Sequence, residues 1–245
     1  MIVHDVLQGS DAWLQLRLGR PTGSGLSRIV TEKTRKLSAQ SGKYVAQLAA
    51  EWALGTPLDD AGSAFMTRGT QLENEARNWY AFTRDVEVQQ VGFITNDAET
   101  VGCSPDGIIA PDGMIEIKCY EARHHVEELL NTDLDAHRAQ IQGSLWIAER
   151  QWCDRIFFNP TLPSLVVRLE RDDEYIEALA SAMDDFLERL EESKRRLIEL
   201  GFNPTSPCQC MTENGVCGSR EGVADVDGIW LCERCAAAMA QVFGG

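Results

Sequence analysis

The 245-residue chain has no run of eighteen apolar residues, and its start, Met1-Ile2-Val3-His4-Asp5, lacks the basic-then-apolar order of a secretion leader. The expectation is a cytoplasmic protein with no membrane partner. Internal repeats and low-complexity tracts are missing too, which excludes solenoids and long flexible arrays. Histidine is scarce, and His4, His124, His125 and His137 read as ordinary surface or core residues. Positive charge is also short. The net charge of −15 speaks against a nucleic-acid partner, because phosphate binding relies on clustered Lys and Arg.

That deficit is uneven. Residues 1–50 hold seven basic side chains (Arg17, Arg20, Arg28, Lys33, Arg35, Lys36 and Lys43) against three acidic ones, a surplus of four, so the rest of the chain carries −19. Such asymmetry suits one basic binding surface on an acidic exterior. Apolar content of 44% and charged content of 25% are ordinary for a globular protein, and the length allows one substantial domain plus a small module.

One stretch concentrates chemistry. Cys103-Ser104-Pro105-Asp106-Gly107, Ile108-Ile109-Ala110-Pro111-Asp112-Gly113 and Met114-Ile115-Glu116-Ile117-Lys118 read as a β-hairpin, with Pro-Asp-Gly as turn residues. Alternation puts Glu116 and Lys118 on one face and Ile115 and Ile117 on the other, while Asp106 can lie beside the polar pair. Two carboxylates and an ammonium at a sheet edge suit divalent-metal phosphodiester hydrolysis: hard oxygens for Mg²⁺ and a lysine to orient water. Alone, the pattern is equally a solvated Glu-Lys pair.

Ser10-Asp11 caps a predicted helix from Ala12 to Gly19, and the Pro21-Thr22-Gly23-Ser24-Gly25 turn opens a second, a candidate anion site beside arginines. Helices are predicted over residues 41–54, with Tyr44, Leu48 and Trp52 as core, over about 65–82, over 135–150 and over 172–200. Strands are predicted at Val86–Val88, Gly92–Thr95, Arg155–Phe158 and Ser164–Leu169. The order is that of an α/β protein with a mixed central sheet flanked by helices.

Several separate stretches together resemble the phage lambda-type exonucleases, the YqaJ-like viral recombinase nucleases of the PD-(D/E)xK superfamily, over about residues 8–200. Trp13 to Gly19 with Thr22-Gly23-Ser24 is similar to the N-terminal segment of that family, and Arg68-Gly69-Thr70-Gln71-Leu72-Glu73 to its G-x-x-x-E helix. Ser104 to Gly107 with Glu116-Ile117-Lys118 resembles its catalytic core, and Ala139-Gln140-Ile141-Gln142 the start of its next helix. The resemblance implies a restriction-endonuclease-like fold. It also implies Mg²⁺, as two ions with Mn²⁺ able to substitute, held by Asp106, Glu116, the main-chain carbonyl of Ile117 and Glu73. Lys118 would position the attacking water, Gln140 would support the scissile strand, and Arg17 with Ser24 would hold a 5′-phosphate. The implied activity is 5′→3′ digestion of one strand of linear duplex DNA to mononucleotides, leaving 3′ tails. The implied setting is a bacterial host cell, with a phage or prophage gene, a homotrimer ring around DNA and a single-strand annealing protein as partner.

Residues 208–245 fall outside that resemblance. Cys208, Cys210, Cys217, Cys232 and Cys235 cluster there, a C-x-C…C…C-x-x-C arrangement that suits tetrahedral Zn²⁺. The expected ligands are Cys210, Cys217, Cys232 and Cys235, with Cys208 as an alternative, in a structural role; an iron–sulfur cluster is the competing occupant. The expected organisation is a nuclease domain over 1–200, a linker over 201–207 and a cysteine-rich module over 208–245. Two other functions stay open: a PD-(D/E)xK endonuclease, which would cut closed circular DNA, and a non-catalytic DNA-binding adaptor with a zinc module.

Overall fold

The computed structural model describes residues 1–58 and 64–202, together with four short strands between 211 and 231; side chains are described for 1–58 and 72–202. The elements in chain order are β1 (Ile2–His4), α1 (Asp11–Arg17), a 3-10 turn (Gly23–Arg28), α2 (Ser41–Leu54), α3 (Ala64–Arg84), β2 (Phe93–Thr95), β3 (Gly102–Cys103), β4 (Gly107–Ile109) and β5 (Gly113–Lys118). They continue with α4 (Ala122–Leu130), α5 (Arg138–Ile147), β6 (Trp152–Phe157), β7 (Leu165–Glu170) and α6 (Asp173–Glu199). Two small antiparallel pairs follow, β8 (Met211–Thr212) with β9 (Gly215–Val216) and β10 (Ala224–Val226) with β11 (Ile229–Leu231). The four cysteines expected to bind zinc, and Cys208 as their alternative, lie outside the described residues.

The main sheet has the order β4-β5-β6-β7 and is mixed: β5 is antiparallel to β4 and parallel to β6, and β6 is antiparallel to β7. A parallel neighbour needs a crossover, which α4 and α5 supply. The alternation of β5 then decides the layers. Ile115 and Ile117 pack with Ala76 and Tyr80 of α3, whereas Met114 packs with Ile141 and Leu145 of α5. Both faces of β5 are therefore covered, and Glu116 and Lys118 lie on the face that α5 covers.

A second sheet, β1-β2-β3, is antiparallel throughout. Beside it, Tyr44, Val45 and Leu48 of α2 pack with Tyr175, Leu179, Met183 and Phe186 of α6, sharing one core with Leu26 and Ile29 of the 3-10 turn. The caps follow the sequence: Ser10 Oγ accepts from the Trp13 N–H at 3.3 Å, Asp172 accepts from the Tyr175 N–H at 3.0 Å, and Gly55 (φ 71°) ends α2.

Several local expectations change. Val86–Val88 is not a strand; one residue on, Gln89 exchanges main-chain bonds with Ile108 at 2.9 and 2.8 Å, an isolated bridge. The second predicted helix is the short 3-10 turn Gly23–Arg28. The helix expected from Asp135 begins at Arg138, since His137 is left-handed (φ 61°) and interrupts it. Trp52 is half-buried rather than core. Among the described residues, no helix is long and apolar enough to cross a membrane.

Candidate active site

Four of the predicted residues meet where β4 and β5 leave the sheet. The N–H of Asp106 donates to Ile115 O at 3.2 Å, and its Oδ2 accepts the Ile117 N–H at 2.5 Å, so the loop ahead of β4 is folded onto β5. Glu116 is 5% exposed, too buried for the solvated pair that the sequence also allowed. Its Oε1 accepts from Lys118 Nζ at 2.9 Å and from Gln140 Nε2 at 2.6 Å. Glu73, half-buried on α3, lies within electrostatic range of Asp106, Glu116 and Lys118.

Charge is unbalanced here. Burial pushes the Asp106 carboxyl well above its usual range, and Glu116 and Glu73 push it further, against the Ile117 hydrogen bond. Burial likewise raises Glu73, with Arg77 opposing. For Lys118, burial pulls the ammonium down, but Glu116 and Asp106 outweigh it and the net shift is upward. Lys118 is therefore an ammonium, suited to positioning rather than to taking a proton.

A divalent cation fits this donor set. Three carboxylates gather about the Lys118 ammonium, with Arg77 beside Glu73, and only one oxygen of Glu116 and one of Asp106 are hydrogen-bonded among the described residues, leaving Glu116 Oε2 and Asp106 Oδ1 available. In an extended strand a residue's N–H and C=O leave toward the same edge, so the Ile117 carbonyl faces the side from which Asp106 receives its N–H. Hard oxygens in this number suit Mg²⁺. No group of three or more His, Cys, Asp or Glu at metal-binding spacing occurs among the described residues.

Arg17 and Ser24 meet elsewhere, in a cavity of about 430 Å³ also lined by Trp13, Arg20, Arg28 and Tyr44. The Arg17 guanidinium lies 4.2 Å over the Trp13 ring and, among the described residues, has neither a hydrogen-bond nor an ion-pair partner. Burial pulls its pKa down, which marks a cation deprived of water. Arg28 sits 4.1 Å over the Tyr44 ring, likewise without an acidic partner among the described residues. Glycine is required at position 25, where an added Cβ would lie 2.1 Å from the Tyr44 hydroxyl.

The two regions are tied together. Trp13 Nε1 donates to Ser104 Oγ at 2.8 Å, two residues before Asp106, and the Gly102 N–H donates to Pro21 O at 3.1 Å. The 3-10 turn also rests on α5: a Cβ at Gly23 would lie 3.1 Å from Ser144 Oγ and 3.9 Å from Gln140 Cγ.

Sequence reading gave no site role to three neighbours of the site. Arg77 Nε donates to Asp106 O at 2.8 Å; an arginine one turn after Glu73 was its only signal. The Tyr120 hydroxyl lies 3.1 Å from His137 Nε2, and burial with nearby Lys118 and Arg155 lowers His137 to about 4, so the imidazole is neutral. Tyr120 continues the alternation of Glu116 and Lys118, the one clue to its place. Burial, with Glu73 and Asp106, pushes the Cys119 thiol up to about 12.

Comparison with known proteins identifies the family. Residues 12–151 match the YqaJ-like viral recombinase domain, an interval that contains every nuclease-site residue named above. The crystal structure of LHK-Exo in complex with dAMP is similar over 78% of this chain and 100% of that one, at 31% identity and TM-score 0.69. That of an alkaline exonuclease (LHK-Exo) from Laribacter hongkongensis gives 29% identity and TM-score 0.65 over the same shares. A phage-related exonuclease from Haemophilus somnus shares the fold at 17% identity and TM-score 0.58, over 74% of this chain and 96% of that one. No curated protein sequence matches. With more than half of its length matched by one domain and a 31%-identical structure covered end to end, the chain belongs to the YqaJ-like viral recombinase family.

Proposed function

We propose that this protein is a Mg²⁺-dependent 5′→3′ exonuclease that degrades one strand of linear double-stranded DNA from 5′-phosphorylated ends. That it is a deoxyribonuclease follows from its family and from its likeness to the alkaline exonuclease. The observation that supports the finer reading is the pairing of two sites: a carboxylate cluster in excess over cations, tied through Ser104 and Gly23 to a pocket in which Arg17, Arg20 and Arg28 outnumber the one carboxylate, Glu51. A phosphodiester with a terminal phosphate supplies an anion to the second while the metal completes the first.

Asp106 Oδ1, Glu116 Oε2 and the Ile117 carbonyl would hold Mg²⁺, with Glu73 toward a second ion and Mn²⁺ as a substitute. The metal would supply Lewis-acid polarisation of the scissile phosphate and acidify bound water. Lys118, charged and fixed on Glu116, orients the attacking water and offsets charge on the phosphoryl oxygens. Gln140 donates to the same Glu116 oxygen as Lys118 and helps to fix that carboxylate. Arg17 and Ser24 receive the 5′-phosphate. Release of mononucleotides is supported by the dAMP bound in the LHK-Exo crystal structure, which is a nucleoside monophosphate.

The wider setting is part of the same proposal: a homotrimer ring whose channel gathers the basic N-terminal surface, acting with a single-strand annealing protein in phage recombination. Cys210, Cys217, Cys232 and Cys235 are proposed to hold a structural Zn²⁺. Metal analysis checks this: one zinc per chain is expected, retained by Cys208→Ser and lost by Cys235→Ser.

The deciding experiment digests linear duplexes with 5′-phosphate or 5′-hydroxyl ends, and a closed circle, in Mg²⁺ and in EDTA. Faster digestion of phosphorylated ends, none of circles and none in EDTA is expected. Equal rates on both ends would sink the pocket assignment, and cutting of circles would favour an endonuclease.

A further inference from the structure

The three polar groups that fix Asp106 come from two directions. Its N–H and its side chain are held by Ile115 and Ile117 of β5, as neighbouring positions of a hairpin would be. Its carbonyl is held by α3, through Arg77 Nε at 2.8 Å. The Arg77 guanidinium is itself oriented from its own helix, since Nη1 donates to Asn74 Oδ1 at 2.7 Å. Glu73 lies four residues before Arg77, on the same face of α3. One side chain therefore joins the helix bearing Glu73 to the loop bearing Asp106, and it does so through a main-chain oxygen.

We infer that Arg77 is a positioning residue for the metal site, setting the distance between Glu73 on α3 and Asp106 at the start of β4. It touches neither substrate nor metal. A guanidinium suits this task because its planar fork bonds the carbonyl and the Asn74 amide oxygen in fixed directions; an ammonium on a flexible stem offers no such fork. Fixing the carbonyl of Asp106 restricts the torsions that aim its carboxylate, and the same bond stops α3 from sliding along the hairpin. The inference rests on the metal reading given above.

The test measures Mn²⁺ binding by loss of the free-ion EPR signal, without DNA, for the parent, Arg77→Met, Arg77→Lys and Asn74→Ala. Melting temperatures in EDTA and kcat and KM on 5′-phosphorylated duplex are recorded alongside. Outer partners of metal ligands typically govern affinity or activity by about 10–100-fold. Arg77→Met is therefore expected to weaken Mn²⁺ binding and lower kcat by that order, with KM within about twofold. Arg77→Lys is expected between Met and parent, and Asn74→Ala to show a smaller loss of the same kind. A merely structural role would lower the melting temperature in EDTA and leave Mn²⁺ affinity and kcat of the folded variants at parental values, which overturns the inference. Should Arg77→Met fail to fold, the Lys and Asn74 variants decide by the same criterion. A parent that binds no Mn²⁺ overturns the metal reading itself, an outcome distinct from equal binding by parent and variant.

Discussion

The β5 edge and the N-terminal pocket are opposites in charge but alike in incompleteness. At the edge, Asp106, Glu116 and Glu73 outnumber Lys118, and burial adds to the repulsion. In the pocket, Arg17 and Arg28 lie over aromatic rings, and with Arg20 they outnumber Glu51, the pocket's carboxylate, which acts on Arg17 at a distance without a direct ion pair among the described residues. Elsewhere the same residue types are paired: Arg168 bonds Asp154 at 2.8 and 2.9 Å, and Arg138 bonds Asp135 and Asp172. Opposite charges brought out of water are normally matched inside the protein, and an excess of one sign in each cluster is what the proposed cation and the proposed phosphate would offset.

The largest break in that comparison removes the ammonium that is bonded to Glu116 at the edge. Lys118→Ala is expected to lower kcat by about 10²–10³, the loss typical for one preorganised charge-stabilising donor, with KM for DNA nearly unchanged. Single-turnover digestion in Mg²⁺ measures it. Parental activity in Lys118→Ala would remove the residue from the catalytic assignment.

A smaller effect is expected at the other pole. Arg17→Ala removes charge-assisted hydrogen bonds worth about 1.5–3 kcal/mol, so kcat/KM on 5′-phosphorylated ends falls by roughly 10–150-fold. Digestion of 5′-hydroxyl ends should stay at the parental rate. A parallel loss on both kinds of end would show that Arg17 supports the fold instead of reading the phosphate.

Excess charge at the edge also makes a stability prediction whose sign can be worked out. The folded protein holds the Asp106 proton more tightly than the unfolded chain, because burial, Glu116 and Glu73 raise its pKa. The stabilisation by this group is complete below the unfolded value of about 3.9 and is lost as pH rises through the folded one. In EDTA, Asp106→Asn should therefore melt higher than the parent above that window, by about 2–4 °C for each ~1 kcal/mol of relieved repulsion in a chain of this size. The gap should close toward pH 4. Added Mg²⁺ should raise the parent and not the variant, since mass action favours the state that binds. A parent that melts higher than Asp106→Asn in EDTA at neutral pH would contradict the charge imbalance.

These two regions were unequally legible in the sequence. Asp106, Glu116 and Lys118 could be placed because strand alternation is strict and a six-residue strand carries two of them. Glu73 and Gln140 could not be distinguished by periodicity from any solvent-facing helical residue; only their order relative to the other stretches, as in the resembling family, singled them out. Arg77 was invisible because its partner is a carbonyl, a group every residue has. The β1 strand and helix α4 were missed for a related reason: three residues are too few to show a period, and α4 keeps Val126 and Leu130 exposed, so its apolar positions do not report a buried stripe. The excess of basic residues before position 50 pointed to the pocket, although Arg35 instead pairs with Glu174 and Lys33 with Asp133.

The smallest predicted effect asks whether the two poles work as one device. Gly23 is where they touch: a methyl there would press on Ser144 Oγ at 3.1 Å and lie 3.5 Å from Cys103 Cβ, with Gln140 Cγ behind them. Ser144 is 3% exposed and cannot swing into solvent, so Gly23→Ala is expected to shift the turn that carries Ser24 away from the helix that carries Gln140. A shift of a few tenths of an ångström between the phosphate site and the carboxylates should cost about two- to fivefold in kcat/KM, the lower range of coupling between residues in contact. Ser144→Ala removes the oxygen in the way, so the double variant should recover most of the loss while each single change keeps its own small penalty. Additive losses in the Gly23→Ala, Ser144→Ala cycle would mean that the turn and α5 merely share a core. A restored double variant would mean that the spacing between the arginine pocket and the carboxylate edge is itself set by this contact.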